Sequence, residues 1–71
     1  MPKLPRVSGA EGGRAGQRLG VAVARQRGSH IVMRRGSSGC VVPNHQELKT
    51  GTLAGVLKQA GVSAEEFLRQ L

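Results

Sequence analysis

Three features of this 71-residue chain predict an α+β fold with a helix, a three-stranded antiparallel meander, a second helix and a short third helix. Gly28-Ser29 separates two runs of β-type residues and reads as a two-residue hairpin loop, because glycine supplies the positive φ that a primed turn needs. Leu53, Val56, Leu57 and Ala60 recur at i, i+3, i+4 and i+7, the stripe of an amphipathic helix. Ser8…Glu11 and Ser63…Glu66 both have the spacing of a capping box, in which the serine caps an early N–H and the glutamate reaches back to the N-cap N–H.

Taken in order, Met1 to Val7 carries two prolines and two cations and reads as an extended lead-in. A first helix is expected from Gly9 to Leu19, with Gly20 as its stop. Its interior opposes it, since Gly12, Gly13 and Gly16 each cost about 1 kcal/mol relative to alanine. With only Ala10, Ala15 and Leu19 for an apolar face, this helix should be weak and held by tertiary contacts, or frayed. Val21 to Arg27 and His30 to Arg35 are the hairpin strands. Gly36-Ser37-Ser38-Gly39 reads as a four-residue loop that pairs Met33 with Val42 and Arg34 with Val41, and Cys40-Val41-Val42 is a third strand ended by Pro43. Pro43 to Lys49 is a polar connection. Thr50 or Thr52 caps the second helix, Gly61 stops it, and Ala64, Phe67, Leu68 and Leu71 repeat the apolar spacing in the third.

Composition narrows the partners. The chain holds eleven Lys and Arg against four acidic residues, a net charge of +7, which favours a polyanion. One cysteine, Cys40, allows no internal disulfide and reads as a small buried hydrophobe; there is no Cys/His set at zinc spacing. No apolar run approaches the roughly 20 residues of a membrane span, and no signal-peptide pattern follows the N-terminus, so one soluble, cytoplasmic domain covering residues 1–71 is expected. Phe67 is the single aromatic residue, which leaves backbone charge and shape to hold a nucleic acid rather than ring stacking.

The hairpin register groups the chemistry. With Gly28 and Ser29 as the loop, Arg27 faces His30, Arg25 faces Val32 and Val23 faces Arg34, whereas Gln26 faces Ile31 and Ala24 faces Met33. Alternation then puts Ala24, Ile31 and Met33 on one side of the sheet and Arg25, Arg27, His30 and Arg34 on the other. A histidine among three arginines suits a polyanion that is held and cut.

The segments Arg27-Gly28-Ser29-His30, Val41-Val42-Pro43-Asn44-His45 and Leu48 to Gly61 together resemble the HicA family of toxins from type II toxin-antitoxin pairs. The shared pattern is a Gly-Ser-His hairpin, a strand ending in Val-Pro-x-His, and a Lys-Gly-Thr-Leu type start to a helix that ends in Gln-Ala-Gly. It covers about Leu19 to Leu71. The chain departs from it where Thr50 is inserted between Lys49 and Gly51, and where Gly12, Gly13 and Gly16 replace larger apolar residues. The resemblance implies a double-stranded-RNA-binding-like α-β-β-β-α fold, an mRNA-cleaving ribonuclease with His30 as the catalytic histidine, and a cognate HicB-like antitoxin that covers the active site.

The residues fit that chemistry. RNA carries its own nucleophile, the 2′-hydroxyl, so cleavage needs no metal or other cofactor if a base takes that proton and cations stabilise the phosphorane. An imidazole exchanges protons near neutral pH. Arg25, Arg27 and Arg34 are expected to hold phosphate, with Lys49 and the start of the second helix as a further phosphate contact and Ser29 as a turn residue within reach of the RNA. His45 is a candidate general acid, but its polar loop suits a structural or solvated histidine better. A non-catalytic RNA-binding module of the same fold is the main alternative. DNA binding through Leu53–Ala60 and Ala64–Leu71 as a helix-turn-helix ranks below it, because Glu65 and Glu66 occupy the end of the helix that would meet base edges.

Overall fold

The computed structural model describes residues 3–71. Its elements run α1 (Gly9–Arg18), β1 (Ala22–Arg27), β2 (His30–Arg35), β3 (Ser38–Pro43), α2 (Thr50–Ala60) and α3 (Ala64–Leu68), which is the α-β-β-β-α order with a short C-terminal helix. The strands form one antiparallel sheet in the order β1-β2-β3. Lys3 to Ser8 has no regular structure; Met1 and Pro2, the start of the expected lead-in, lie outside the described residues.

Both capping boxes form. Ser8 Oγ accepts from the Glu11 N–H at 3.0 Å while Glu11 Oε1 accepts from the Ser8 N–H, and Ser63 and Glu66 repeat the arrangement. Glycines close both principal helices, Gly20 at φ 83° and Gly61 at φ 72°, values at which a Cβ would be strained. The start of α2 differs from expectation. Lys49 is its N-cap with no side-chain hydrogen bond, and Thr50 and Thr52 lie inside the helix. The extended backbone of Lys49 sets the boundary one residue before the first candidate hydroxyl.

In α1 the packing demands glycine at Gly9, whereas a Cβ at Gly12, Gly13 or Gly16 would find its nearest neighbour at 3.7, 4.0 or 3.5 Å, in ordinary contact. Gly9, Gly12, Gly13 and Ala15 are buried, so the smallest side chains form the face laid against the rest of the protein. A Cβ on Gly9 would overlap the Pro43 carbonyl oxygen and sit 2.8 Å from Asn44 Cα, so the close approach there requires glycine. Tertiary contact thus compensates poor helix propensity. Ala10 is exposed, contrary to its expected place on the apolar face, and Leu19 packs at the margin of the core. Phe67, Met33, Leu48 and Leu53 are the largest fully enclosed side chains. Leu48 was expected in a polar connection, yet its N–H donates to the Val7 carbonyl at 2.7 Å and its side chain fills the core beneath α1. Leu71, expected on an apolar stripe with Phe67, is exposed beyond the end of α3.

Two strand registers depart from expectation. In β1–β2 the pairs Arg27↔His30, Gln26↔Ile31 and Arg25↔Val32 form as expected, but the ladder then shifts to Val23↔Met33 and Ala22↔Arg34. Ala24 is the extra residue of a β-bulge, so it does not pair with Met33, nor Val23 with Arg34. The bulge resets alternation on a strand where strict period two, fixed by outward Arg25 and Arg27, would also turn Val23 and Val21 outward. Val23 instead opposes the buried Met33, and Val21 enters the core. In β2–β3 the loop is two residues, not four. Gly36 has φ 60° and, among the described residues, no residue other than glycine adopts positive φ, a pattern that fits a II′-type turn over Gly36-Ser37. Such a turn follows the strand twist and adds the pairs Arg35↔Ser38 and Arg34↔Gly39, so Met33 opposes Cys40, Ile31 opposes Val42, and Val41 opposes Val32 rather than Arg34. The slip is two residues, which preserves parity, and Cys40 and Val42 still face inward with Ile31 and Met33.

Candidate functional site

The helices cover the face of the sheet carrying Ile31, Met33, Cys40 and Val42, and the opposite face is open. Its rows follow from the ladder. Arg27, His30 and Pro43 stand side by side, then Arg25, Val32 and Val41, then Arg34 beside Gly39. Neighbouring strands lie about 4.8 Å apart and residues two apart along a strand about 6.6 Å, so His30 and the three arginines share a patch that a few nucleotides would span. All four are exposed. The hairpin tip that presents His30 is fixed by Gly28, at φ 54°, and by the Asn44 N–H, which donates to the Ser29 carbonyl at 2.6 Å. Ser29 is thereby a turn residue whose backbone ties the hairpin to the end of β3.

The electrostatics of this face are one-sided. The chain's four acidic residues are Glu11, Glu47, Glu65 and Glu66, and none lies in the sheet. Glu11 and Glu66 are taken up by the capping boxes, where hydrogen bonds from the Ser8 and Ser63 backbone N–H groups and hydroxyls hold both carboxyls below their usual range. Glu47 meets Arg6 at 3.7 Å, the single ion pair among the described residues. Arg25, Arg27 and Arg34 therefore face solvent without a carboxylate partner. Arg35, one residue further, turns to the other side of the strand, where it contributes weakly to the low Glu66 carboxyl after the Ser63 hydrogen bonds.

The remaining candidates lie off this patch. His45 is two residues beyond Pro43, the cross-strand partner of His30, and its carbonyl accepts from the Gly9 N–H at 2.8 Å. Its backbone is clamped at the His30 end of the sheet, and its side chain is exposed. Lys49, at the start of α2, lines a different surface depression with Arg6, Glu47, Leu48 and Thr50. It is not grouped with the sheet arginines. Among the described residues no three His, Cys, Asp or Glu side chains gather as a metal-binding set. Cys40 is buried and desolvation pushes its thiol up, away from the thiolate a nucleophile needs.

The ladder also brings Val32, Val41 and Pro43 onto the arginine face, beside the cations. Alternation from the inward Cys40 and Val42 is the signal that locates Val41 there. No helix of the described chain is long and apolar enough to cross a membrane. A family model described as the HicA toxin of bacterial toxin-antitoxin systems matches residues 14–62, from the middle of α1 through the stop of α2. No curated protein matches the chain at a significant level.

Proposed function

The chain belongs to the HicA toxin family of bacterial toxin-antitoxin systems, and from that premise we propose that it is an endoribonuclease that cleaves mRNA with His30 as its proton-transfer residue. The observation that carries the reading is the open sheet face on which His30 stands beside Arg25 and Arg27, with Arg34 further along the same strand and no carboxylate in the sheet. Arginine forks suit phosphate oxygens, and their charge is aimed where negative charge grows as the phosphorane forms.

In this reading the RNA supplies the nucleophile. The 2′-oxygen attacks the adjacent phosphorus as its proton leaves, the bond to the 5′-oxygen breaks, and that oxygen gains a proton. The products are a 2′,3′-cyclic phosphate and a 5′-hydroxyl. His30 takes the first proton or delivers the second, and water or His45 completes the exchange. No metal is required for this balance. Ser29 acts through the turn that aims His30, and Lys49 serves as an outlying phosphate contact for a longer strand. The toxin works in the cytoplasm, where mRNA is found, and a HicB-like antitoxin silences it by covering the same cationic face with carboxylates.

The test is incubation of the purified protein with a long single-stranded RNA in excess EDTA, wild type beside His30→Ala, with circular dichroism on both. Cleavage by wild type to cyclic-phosphate ends, and none by a folded His30→Ala, is the expected result. Equal cleavage by the two would remove His30 from the chemistry. RNA bound by both and cut by neither would make the protein a binding module of the same fold.

A further inference from the structure

The face proposed to hold RNA is not uniformly charged. Its β1 side carries Arg25 and Arg27, whereas its β3 side is apolar: Val41 is 43% exposed, directly opposite Val32, and Pro43 is half-buried beside His30. Phosphate contacts explain the first half and leave the second without a role. Beside it, Val32, Arg34, Gly39, Cys40, Val41 and Gln59 of α2 line an open depression of about 350 Å³. Gln59 lies in the Gln59-Ala60-Gly61 segment that ends α2. Ala60 there is buried in the core and Gly61 forms the left-handed cap, but Gln59 is exposed and serves neither purpose.

Resting on the ribonuclease reading above, we infer that this depression is a nucleobase subsite for an unpaired nucleotide next to the scissile phosphate. Val32 and Val41 offer an apolar floor of the kind a base covers with its face. The Gln59 amide presents both a donor and an acceptor, the pair needed to read a base edge. Arg34 borders the same depression and meets the phosphate on that nucleotide's outer side. Val32 is two residues from His30 on one face of β2, a separation of about 6.6 Å, comparable to one nucleotide step. A paired base would keep its edge inside a duplex and its face in the stack, so the subsite selects single-stranded RNA. The Gln59 amide argues for a nucleotide here over a protein segment, because a donor and an acceptor at the edge of an apolar floor match a base, whereas the bordering Arg34 and Arg25 would take a phosphate or a carboxylate alike.

The experiment uses a short oligoribonucleotide with one preferred cleavage position, presented with each of the four bases and with an abasic residue beside the scissile phosphate. Wild type, Gln59→Ala and Val32→Thr/Val41→Thr are compared by kcat/KM, all with circular dichroism. Gln59 and Val41 are exposed and Val32 is half-buried, and threonine keeps the strand preference of valine. Wild type is expected to cleave the best base about 10-fold faster than the abasic substrate. Gln59→Ala should flatten the ranking among the four bases, and Val32→Thr/Val41→Thr should reduce the gap between base and abasic. Cleavage by wild type that ignores the abasic change would overturn the subsite while leaving the ribonuclease reading intact. An unchanged gap between base and abasic substrates in the valine variant, with weakened antitoxin binding, would assign the strip to the protein partner instead. Absence of both RNA binding and cleavage in the wild type would overturn the two readings together.

Discussion

Gly9 and Gly13 are one turn apart on α1, yet the structure assigns them opposite costs. A Cβ on Gly9 would drive into the backbone at Pro43 and Asn44, which has no flexible end to move aside, and would displace the Gly9 N–H from the His45 carbonyl. A Cβ on Gly13 meets only Met33 Sδ, at 4.0 Å, in ordinary contact. Gly9→Ala is therefore expected to destabilise by about 1–3 kcal/mol, and Gly13→Ala to stabilise by about 1 kcal/mol through helix propensity; urea unfolding measures both. Because Pro43 is paired with His30, Gly9→Ala should also impair cleavage, whereas Gly13→Ala should leave it unchanged. A stabilised Gly9→Ala would mean that α1 does not pack as described. At this scale the sequence was half legible. Helix propensity marked Gly12, Gly13 and Gly16 as weaknesses but passed over Gly9, since the close backbone approach there involves a partner 34 residues away in the chain, at Pro43, and no local pattern reports it.

The capping boxes are the elements' most legible feature, because both partners lie within four residues and the geometry is local. Their titration is a prediction at the same scale. Glu11 and Glu66 have carboxyls held below their ordinary value of 4.5, chiefly by hydrogen bonds at Ser8 and Ser63. A depressed folded value means that the stabilisation is present above the unfolded value and is lost as pH falls through the folded one. Thermal midpoints should therefore fall on acidification below about pH 5, and Glu11→Gln/Glu66→Gln should show a shallower fall over the same range, since glutamine keeps the cap without titrating. Parallel curves for the two proteins would show that the boxes do not couple to pH. The strands were legible in face and less so in register. Gly28-Ser29 fixed the first pairs, but the bulge at Ala24 depends on burying Val21, and the true length of the Gly36 turn depends on ladder pairs that four consecutive Gly and Ser residues conceal. Parity survived the second error, so the open face kept its residues.

The whole molecule divides into a helical layer that closes the core and a sheet face left open and cationic. The chain reserves its few carboxylates for helix ends and one surface ion pair, and this partition leaves Arg25, Arg27 and Arg34 on the open sheet face without a carboxylate partner. The grouping of Arg25, Arg27, His30 and Arg34 was legible because it needs only alternation and the hairpin loop. Lys49, read from the sequence as a separate phosphate contact at the start of the second helix, lines its own depression with Arg6 and Glu47. The account's central claim is that one sheet face both holds RNA and cuts it. The most direct measurement is the affinity of a single-stranded RNA, over a range of salt, for His30→Ala and for the same protein with Arg25→Gln, Arg27→Gln and Arg34→Gln added. The account predicts that His30→Ala binds uncut RNA tightly, and that the arginine changes weaken binding and flatten the log–log salt dependence by about 2, as expected for three lost phosphate contacts on a single strand. RNA bound with unchanged affinity and salt slope after loss of all three arginines would contradict it and move the nucleic acid to another surface.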